Sequence, residues 1–470
     1  MSTKIHNDVT GLLQRLDGAV RVSDTGAEVF DAEAVRHELI DELIWTAVFG
    51  EEEPRDAARW LIRVIAPAMG AWPASIHDLY MAASRGEYSN VTTPAINLRG
   101  MSYEMAQRVF RAANATASKQ ILFELARSEM GYTDQRPAEF ASSVLAAAIK
   151  EGWQGPVMIQ GDHYQANAKK YAADPDAEIA AVRDLAVEAV HAGYGNIDID
   201  SSTLVDLSHE RLIDQQRLNS LHTADLTKAI RDVEPAGFTV SIGGEIGEVG
   251  KTNSTVEDLD AFMEGYQAEL AKLGGDLTGI SKISVQTGTS HGGIVLPDGS
   301  IQEVAVDFET LANLSVAAKK YGMGGAVQHG ASTLPETAFH RFAEADAVEV
   351  HLATAFQNSM FDSEAFPEDL RQEIRAYLDA NHADERKADQ TDAQFYYTTR
   401  KRAFGPFKRQ MWGLPDETRE GILAELQPKF ELIMERLQVA GNGALVDRWV
   451  KRVDVEVPAP ESIRRAVSAS

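Results

Sequence analysis

Apolar positions along this chain keep two rhythms. Up to about residue 90 they recur every three or four residues, as in DAEAVRHELIDELIWTAVFG (31–50) and PRDAARWLIRVIAPAMGAW (54–72), which predicts amphipathic helices. From residue 91 short β-branched or apolar runs alternate with helical patterns. The runs are VTTPAINL (91–98), KQILFEL (119–125), PVMIQGDH (156–163), GNIDIDSS (195–202), FTVSIGGEI (238–246), ISKISVQTGT (280–289), GAVQHGAS (325–332) and AVEVHLAT (347–354). Between them lie helical stretches such as SYEMAQRVFRAANAT (102–116) and DAEIAAVRDLAVEAVHAG (176–193). Eight strand–helix repeats predict an α/β fold, a (β/α)8 TIM barrel over residues 91–356. It would carry a helical N-terminal extension (1–90) and a helical C-terminal segment packed on the barrel (357–470). An open doubly wound sheet is the alternative, but the turn after its first strand is usually Gly-rich, and INLRGMS (96–102) is not.

Composition narrows the function classes. The chain has 470 residues and a formal net charge of −26. Such an excess of acid argues against nucleic acid or an anionic membrane as partner, and leaves a small anionic substrate open at a locally positive site. With no cysteine, disulfides, thiolate ligands and cysteine nucleophiles drop out together. The first twenty residues contain no apolar signal-peptide core, and no run of apolar residues is long enough to span a bilayer, so a cytoplasmic location is expected. Against the acidic background, FYYTTRKRAFGPFKRQMW (395–412) is basic and aromatic. It reads either as a segment docked on the barrel or as a source of arginine for a phosphate.

Candidate chemistry sits where the runs end. The third ends in Asp162–His163, the fourth in Asp200 and Ser202, and the fifth in Glu245. The sixth leads to His291, the seventh to His329, and the eighth to His351 and Thr354. In a barrel these ends converge on one rim, where active sites of this fold are built. One strand histidine alone is most often a hydrogen-bonded core residue. Several on one rim, without cysteine, form an imidazole–carboxylate set that suits zinc with an open position, and ligand type leaves cobalt, iron or manganese open. Small residues follow two of the histidines, in HGG (291–293) and HGAST (329–333). Such turns let backbone N–H groups approach an anion, here at Gly292, Gly330 and the hydroxyl-bearing Ser332.

These motifs resemble the class II, metal-dependent fructose-bisphosphate aldolases and their ketose-bisphosphate relatives. The matching segments are PVMIQGDH, DIDSS, GEIGEVG, GTSHGG and HGASTLP, in that order. The resemblance implies that His163, His291 and His329 hold zinc, with Glu245 as an alternative or adjacent ligand. It implies Asp162 as general acid and base at the aldehyde carbon. Asp200 and Ser202 would orient ligands and substrate, and Gly330, Ser332 and Thr354 would receive a phosphate. Arg400 or Arg402 would contact a second phosphate, and a homo-oligomer, a dimer or larger, is expected.

Two departures from the family pattern stand out. The loop after the Glu-x-Gly segment usually carries an acidic pair; here it reads GEVGKTNSTVED, and Glu248 is the nearest carboxylate. Strand eight usually ends Asn-x-x-Thr-Asp/Glu; here it reads HLATA, with His351 in the asparagine position as a donor to the enediolate. The expected activity is aldol cleavage of a phosphorylated ketose, fructose 1,6-bisphosphate first. Tagatose bisphosphate, a deoxy-sugar phosphate or a sulfo-sugar phosphate are the alternatives. A barrel metallohydrolase would place His-x-His on strand one, and no such pair occurs among the 12 histidines. A non-catalytic barrel that binds metal or sugar phosphate is the remaining reading.

Overall fold

The structure, a computed structural model, describes residues 3–247, 252–288, 305–332 and 334–468. All eight predicted runs contain strands: β1 (Thr93–Asn97), β2 (Leu122–Ala126), β3 (Gly155–Gln165), β4 (Asn196–Asp200), β5 (Ser241–Gly247), β6 (Lys282–Val285), β7 (Ala326–Gln328) and β8 (Glu349–Leu352). Each pairs in parallel with the next, and β8 returns to β1 in the register Glu349↔Thr93 to Leu352↔Ile96. The result is a closed eight-stranded parallel barrel ringed by helices, a (β/α)8 fold. Both faces of such strands are covered, which is why β1, β2 and β4 are buried at every position. The outer helices begin and end on local signals. Asp174 caps helix Pro175–Ala192 by accepting from the Ala177 N–H, Pro175 fills its first turn, and Gly193 ends it at φ +100°.

The N-terminal region is helical as read, with two exceptions. Val20–Val22 and Ala27–Val29 form an antiparallel hairpin. The helical pattern that ran to Trp72 stops at Ala68, because Gly70 turns the chain at φ +93° and Ala71–Ala74 becomes a strand. That strand pairs in parallel with Gly155–Met158 at the start of β3, on the side where β4 pairs further along. The next helix, His77–Ser84, packs Leu79 and Tyr80 against Ala95, Leu122, Met158 and Val327, and so fills the barrel's base. C-terminal helices cover the outside. The Phe404 ring lies against Gly100, where a Cβ would meet it at 2.3 Å, and Trp412 packs with Trp45 and Tyr103. No helix among the described residues is long and apolar enough to cross a membrane.

The base helix brings a pH dependence. His77 is 7% exposed, and burial together with the nearby Arg231 charge lowers its pKa to about 4. An unfolded histidine titrates near ~6.5. Between these values the unfolded chain binds more protons than the fold, so stability rises with pH across that window and is lost as pH falls through it. His77→Gln is expected to remove about 3 kcal/mol of this acid-side loss. Urea midpoints at the two ends of the window test it; an unchanged slope would assign the loss to other groups.

Candidate active site

The floor of the site is a layer of buried charge. TIM-barrel interiors are usually filled by branched apolar side chains. Here Lys282 of β6 is fully buried, with its Nζ 2.5 Å from Glu349 Oε1, 2.9 Å from Asp198 Oδ1 and 2.7 Å from Gln160 Oε1. The Tyr80 hydroxyl, reaching up from the base, donates to Glu349 Oε2 at 2.5 Å. Burial alone would lower the Lys282 pKa, but Asp198 and Glu349 outweigh it and hold the ammonium form. Sequence reasoning missed this layer, because a lysine inside an apolar run reads as a solvent-facing position.

One layer higher lies His351. Its Nε2 is 2.6 Å from Glu349 Oε1, and its Nδ1 is 3.1 Å from both Asp162 Oδ1 and Glu124 Oε2. Burial opposes its protonation, but Glu124, Asp162 and Glu349 prevail and raise its pKa well above the ordinary imidazole range. Burial and the Asp162 charge in turn push Glu124 well above a normal carboxyl value.

Consecutive residues of a regular strand face opposite ways, yet Asp162 and His163 both line the same cavity. A bulge in β3 allows this. The register with β4 shifts between Gly161 and Tyr164, and His163 takes φ +41°, a left-handed value rare outside glycine. The Tyr164 ring then covers Gly161 so closely that a Cβ there would lie 2.4 Å from it. Backbone strain of this kind costs about 1–3 kcal/mol and concentrates at functional positions.

His163 Nδ1 faces Asp200 Oδ2 at 3.1 Å and Glu245 Oε2 at 3.0 Å, and Ser202 Oγ donates to Asp200 at 2.6 Å. Burial opposes protonation of His163, but Asp162, Glu245 and Asp200 prevail and raise its pKa well above normal; a metal would displace the Nε2 proton while Nδ1–H goes on donating to a carboxylate. On its other side the His163 ring lies 4.1 Å from that of His329, which lies 4.2 Å from His351. Asp162, His163 and His329 can bring ligand atoms within 4.8 Å of one another, and so can His163, Asp200 and Glu245. Burial and the neighbouring His163 and His351 charges keep the His329 pKa well below normal, in the neutral form that metals bind. Burial and Asp200 push the Glu245 carboxyl up to about 7. Imidazoles and carboxylates in this density fit a divalent metal ion.

A cavity of about 510 Å³ opens above the cluster. Gly330, Ser332 and Thr354 line it, and so do Arg99, Arg127 and Lys401. Gly330 sits at φ +69°, Ser332 Oγ accepts from the Ala355 N–H at 3.3 Å, and Thr354 opens helix Thr354–Asp362. The rim therefore joins Asp162, His163, His329 and His351 to the small-residue turn. Arg400 lies elsewhere: it pairs with Asp362 and donates to Asn358 at 2.7 Å. Arg402 pairs with Glu385 at 3.1 Å. Burial and the neighbouring Arg99 and Arg402 lower the Lys401 pKa, and with Arg99 and Arg127 it is among the cavity cations that sequence reasoning did not single out. Glu248, His291 and Gly292 fall outside the described residues.

Comparison with known proteins follows this geometry. The profile of one family, fructose-bisphosphate aldolase class-II, matches residues 74–404. No curated protein matches the chain. Among solved structures, a probable tagatose 6 phosphate kinase from Sinorhizobium meliloti 1021 superposes with a TM-score of 0.53 at 16% identity, over 80% of this chain and 97% of that one. The fructuronate-tagaturonate epimerase UxaE from Cohnella laeviribosi, with glycerol bound, gives 0.50 at 13% identity over 94% and 99% of the two chains. Fructose-bisphosphate aldolase from Campylobacter jejuni gives 0.47 at 17% identity over 78% and 97%. At these identities the first two likenesses speak for the fold alone. The family profile covers more than half of the chain, in the segment that holds every candidate ligand, and on that ground the chain belongs to the class II fructose-bisphosphate aldolase family, the metal-dependent carbon–carbon lyases.

Proposed function

We propose that this chain is a zinc-dependent aldolase that reversibly cleaves a phosphorylated ketose, fructose 1,6-bisphosphate first, to dihydroxyacetone phosphate and an aldehyde. The observation that carries the reading is the convergence of Asp162, His163 and His329 beside the Gly330–Ser332 turn. His163 and His329 would hold the ion, with His291 as the third ligand implied by the family motif and Glu245 as an alternative. Bound there, zinc supplies Lewis-acid polarisation of the substrate carbonyl. The chain's own residues do the rest. Gly330, Ser332 and Thr354 receive the phosphate of the ketose half through backbone N–H and hydroxyl groups. Asp162 removes the proton from the hydroxyl on the aldehyde-forming carbon as the C–C bond breaks and its electron pair passes to the ketose-derived carbon. That carbon then takes a proton, from Glu248 by the family motif, to give dihydroxyacetone phosphate; the synthetic direction reverses both transfers. Asp200, steadied by Ser202, fixes the His163 ring. His351 has both ring nitrogens facing carboxylates, which supports a role in holding Asp162. Lys282 is kept as an ammonium by two carboxylates and so is unsuited to imine formation.

A coupled cleavage assay on a panel of ketose phosphates tests this, with protein before and after chelation and after zinc is restored. Cleavage of fructose bisphosphate is expected, lost on chelation and regained with zinc. Cleavage of tagatose bisphosphate or another panel member alone would keep the mechanism and assign His351 to substrate choice. No cleavage by zinc-loaded protein would overturn the reading in favour of a binding barrel.

A further inference from the structure

The extensions on either side of the family match build a second cavity, of about 230 Å³, at the base of the barrel. Trp72 and Pro73 line it and pair with Pro156 and Val157 at the start of β3, so it lies at the opposite end of the strands from His163 and His329. Much of its wall, residues 25–27, 63–73 and 452–457, falls outside the matched residues 74–404. The reaction at the rim does not account for it.

Pro67, Trp72, Pro73, Phe238 and Val455 give it an apolar side, and Thr25, Tyr194 and Asp454 also line it. Set among them is Arg63, whose guanidinium packs so closely on Gly193 that a Cβ there would lie 3.2 Å from Cζ. Arg63 Nη1 donates to the His191 carbonyl at the end of helix Pro175–Ala192. Its Nε is buried with no acceptor, and so is Trp72 Nε1, among the described residues. No carboxylate pairs with Arg63 among those residues. Burial lowers its pKa to about 10, which leaves it cationic at neutral pH. The cavity's other arginine is already satisfied: Arg452 pairs with Asp454 at 2.8 Å and donates to the Pro67 carbonyl at 3.2 Å.

Arg63 is half-buried and has no carboxylate partner among the described residues, which leaves its charge to be matched, and the apolar residues beside it define what else a ligand there would meet. A carboxylate would take the guanidinium fork, and a flat apolar body would cover the rings. The volume equals that of about eight waters, room for one small ring with its acid group. We propose that this basal cavity binds a small organic carboxylate with a flat apolar body, of about the size of benzoate.

Calorimetric titration of benzoate and of nicotinate into the zinc-loaded full chain tests the proposal. At least one is expected to bind with a Kd of about 1 mM or tighter. Arg63→Met should weaken that binding at least about tenfold. Val455→Trp, which fills the cavity and leaves Arg63 in place, should abolish it. Excess fructose 1,6-bisphosphate should not displace the ligand. Three outcomes would overturn the proposal: no binding of either acid up to about 10 mM, binding unchanged in both variants, or displacement by the sugar phosphate, which would put the ligand at the rim. If thermal melting shows that Arg63→Met does not fold, the Val455→Trp comparison decides. None of these readouts depends on which ketose is cleaved.

Discussion

Asp162→Asn is expected to lower the turnover of aldol cleavage by about 10²–10⁴ while leaving the bound metal in place. Asparagine keeps the shape of the side chain and an oxygen to accept from His351 Nδ1, now 3.1 Å away. It cannot carry a proton. The metal should stay because His163 and His329 remain, with His163 still oriented by Asp200 and Glu245. If substrate is held by the turn at Gly330–Ser332, as proposed above, the loss should fall on kcat, with KM little changed. Steady-state kinetics beside metal analysis of the same preparation separates the cases. Full turnover in the metal-loaded variant would remove Asp162 from the proton path. Loss of metal together with activity would make Asp162 a ligand instead.

The second large effect concerns the floor. Lys282→Met should destabilise the fold by about 3–5 kcal/mol, because Asp198 and Glu349 lose their nearest cation in a dry interior and are left with His351 beside them. Against a typical total of about 5–15 kcal/mol, that threatens folding outright. The cost comes from the stranded charges, not from lost attraction. Adding Asp198→Asn and Glu349→Gln to Lys282→Met should therefore recover most of it. Urea unfolding of the single and triple variants makes the comparison. A single variant within about 1 kcal/mol of the parent would mean that water or rearrangement relieves the carboxylates.

The barrel was legible in the sequence because its strands are short apolar or β-branched runs separated by amphipathic helices, and each of the eight was found. The histidines were legible because they end those runs. What escaped depends on distant partners. Ala71–Ala74 contains Pro73 and follows a strong helix, so nothing local marks it; its strand geometry comes from pairing with Gly155–Met158. Lys282 is inside because Asp198, 84 residues earlier, and Glu349, 67 residues later, meet it there. The Asp162–His163 pair was visible as a dipeptide, but the bulge that turns both side chains inward was not. Arg400 was picked from a basic run and from the family resemblance. Its neighbours Asp362 and Asn358 take it up, and Lys401 is the residue of that run that lines the cavity.

Closure of the ring at β8 has a consequence for how the chain is made. The strand Ala71–Ala74 and its partner on β3 both leave the ribosome early, so the base can be braced long before the barrel is complete. β1 must wait for Glu349–Leu352, almost the whole barrel later in the chain. Until those residues arrive, the β1 edge is open and Lys282 keeps its water. Closure removes both in one step, pairing the last edge and delivering Glu349 to the lysine. A long-range event that also strips water from charges is slow. A nascent or truncated chain that stops short of residue 349 would thus present an unpaired parallel edge, the surface on which aggregation begins.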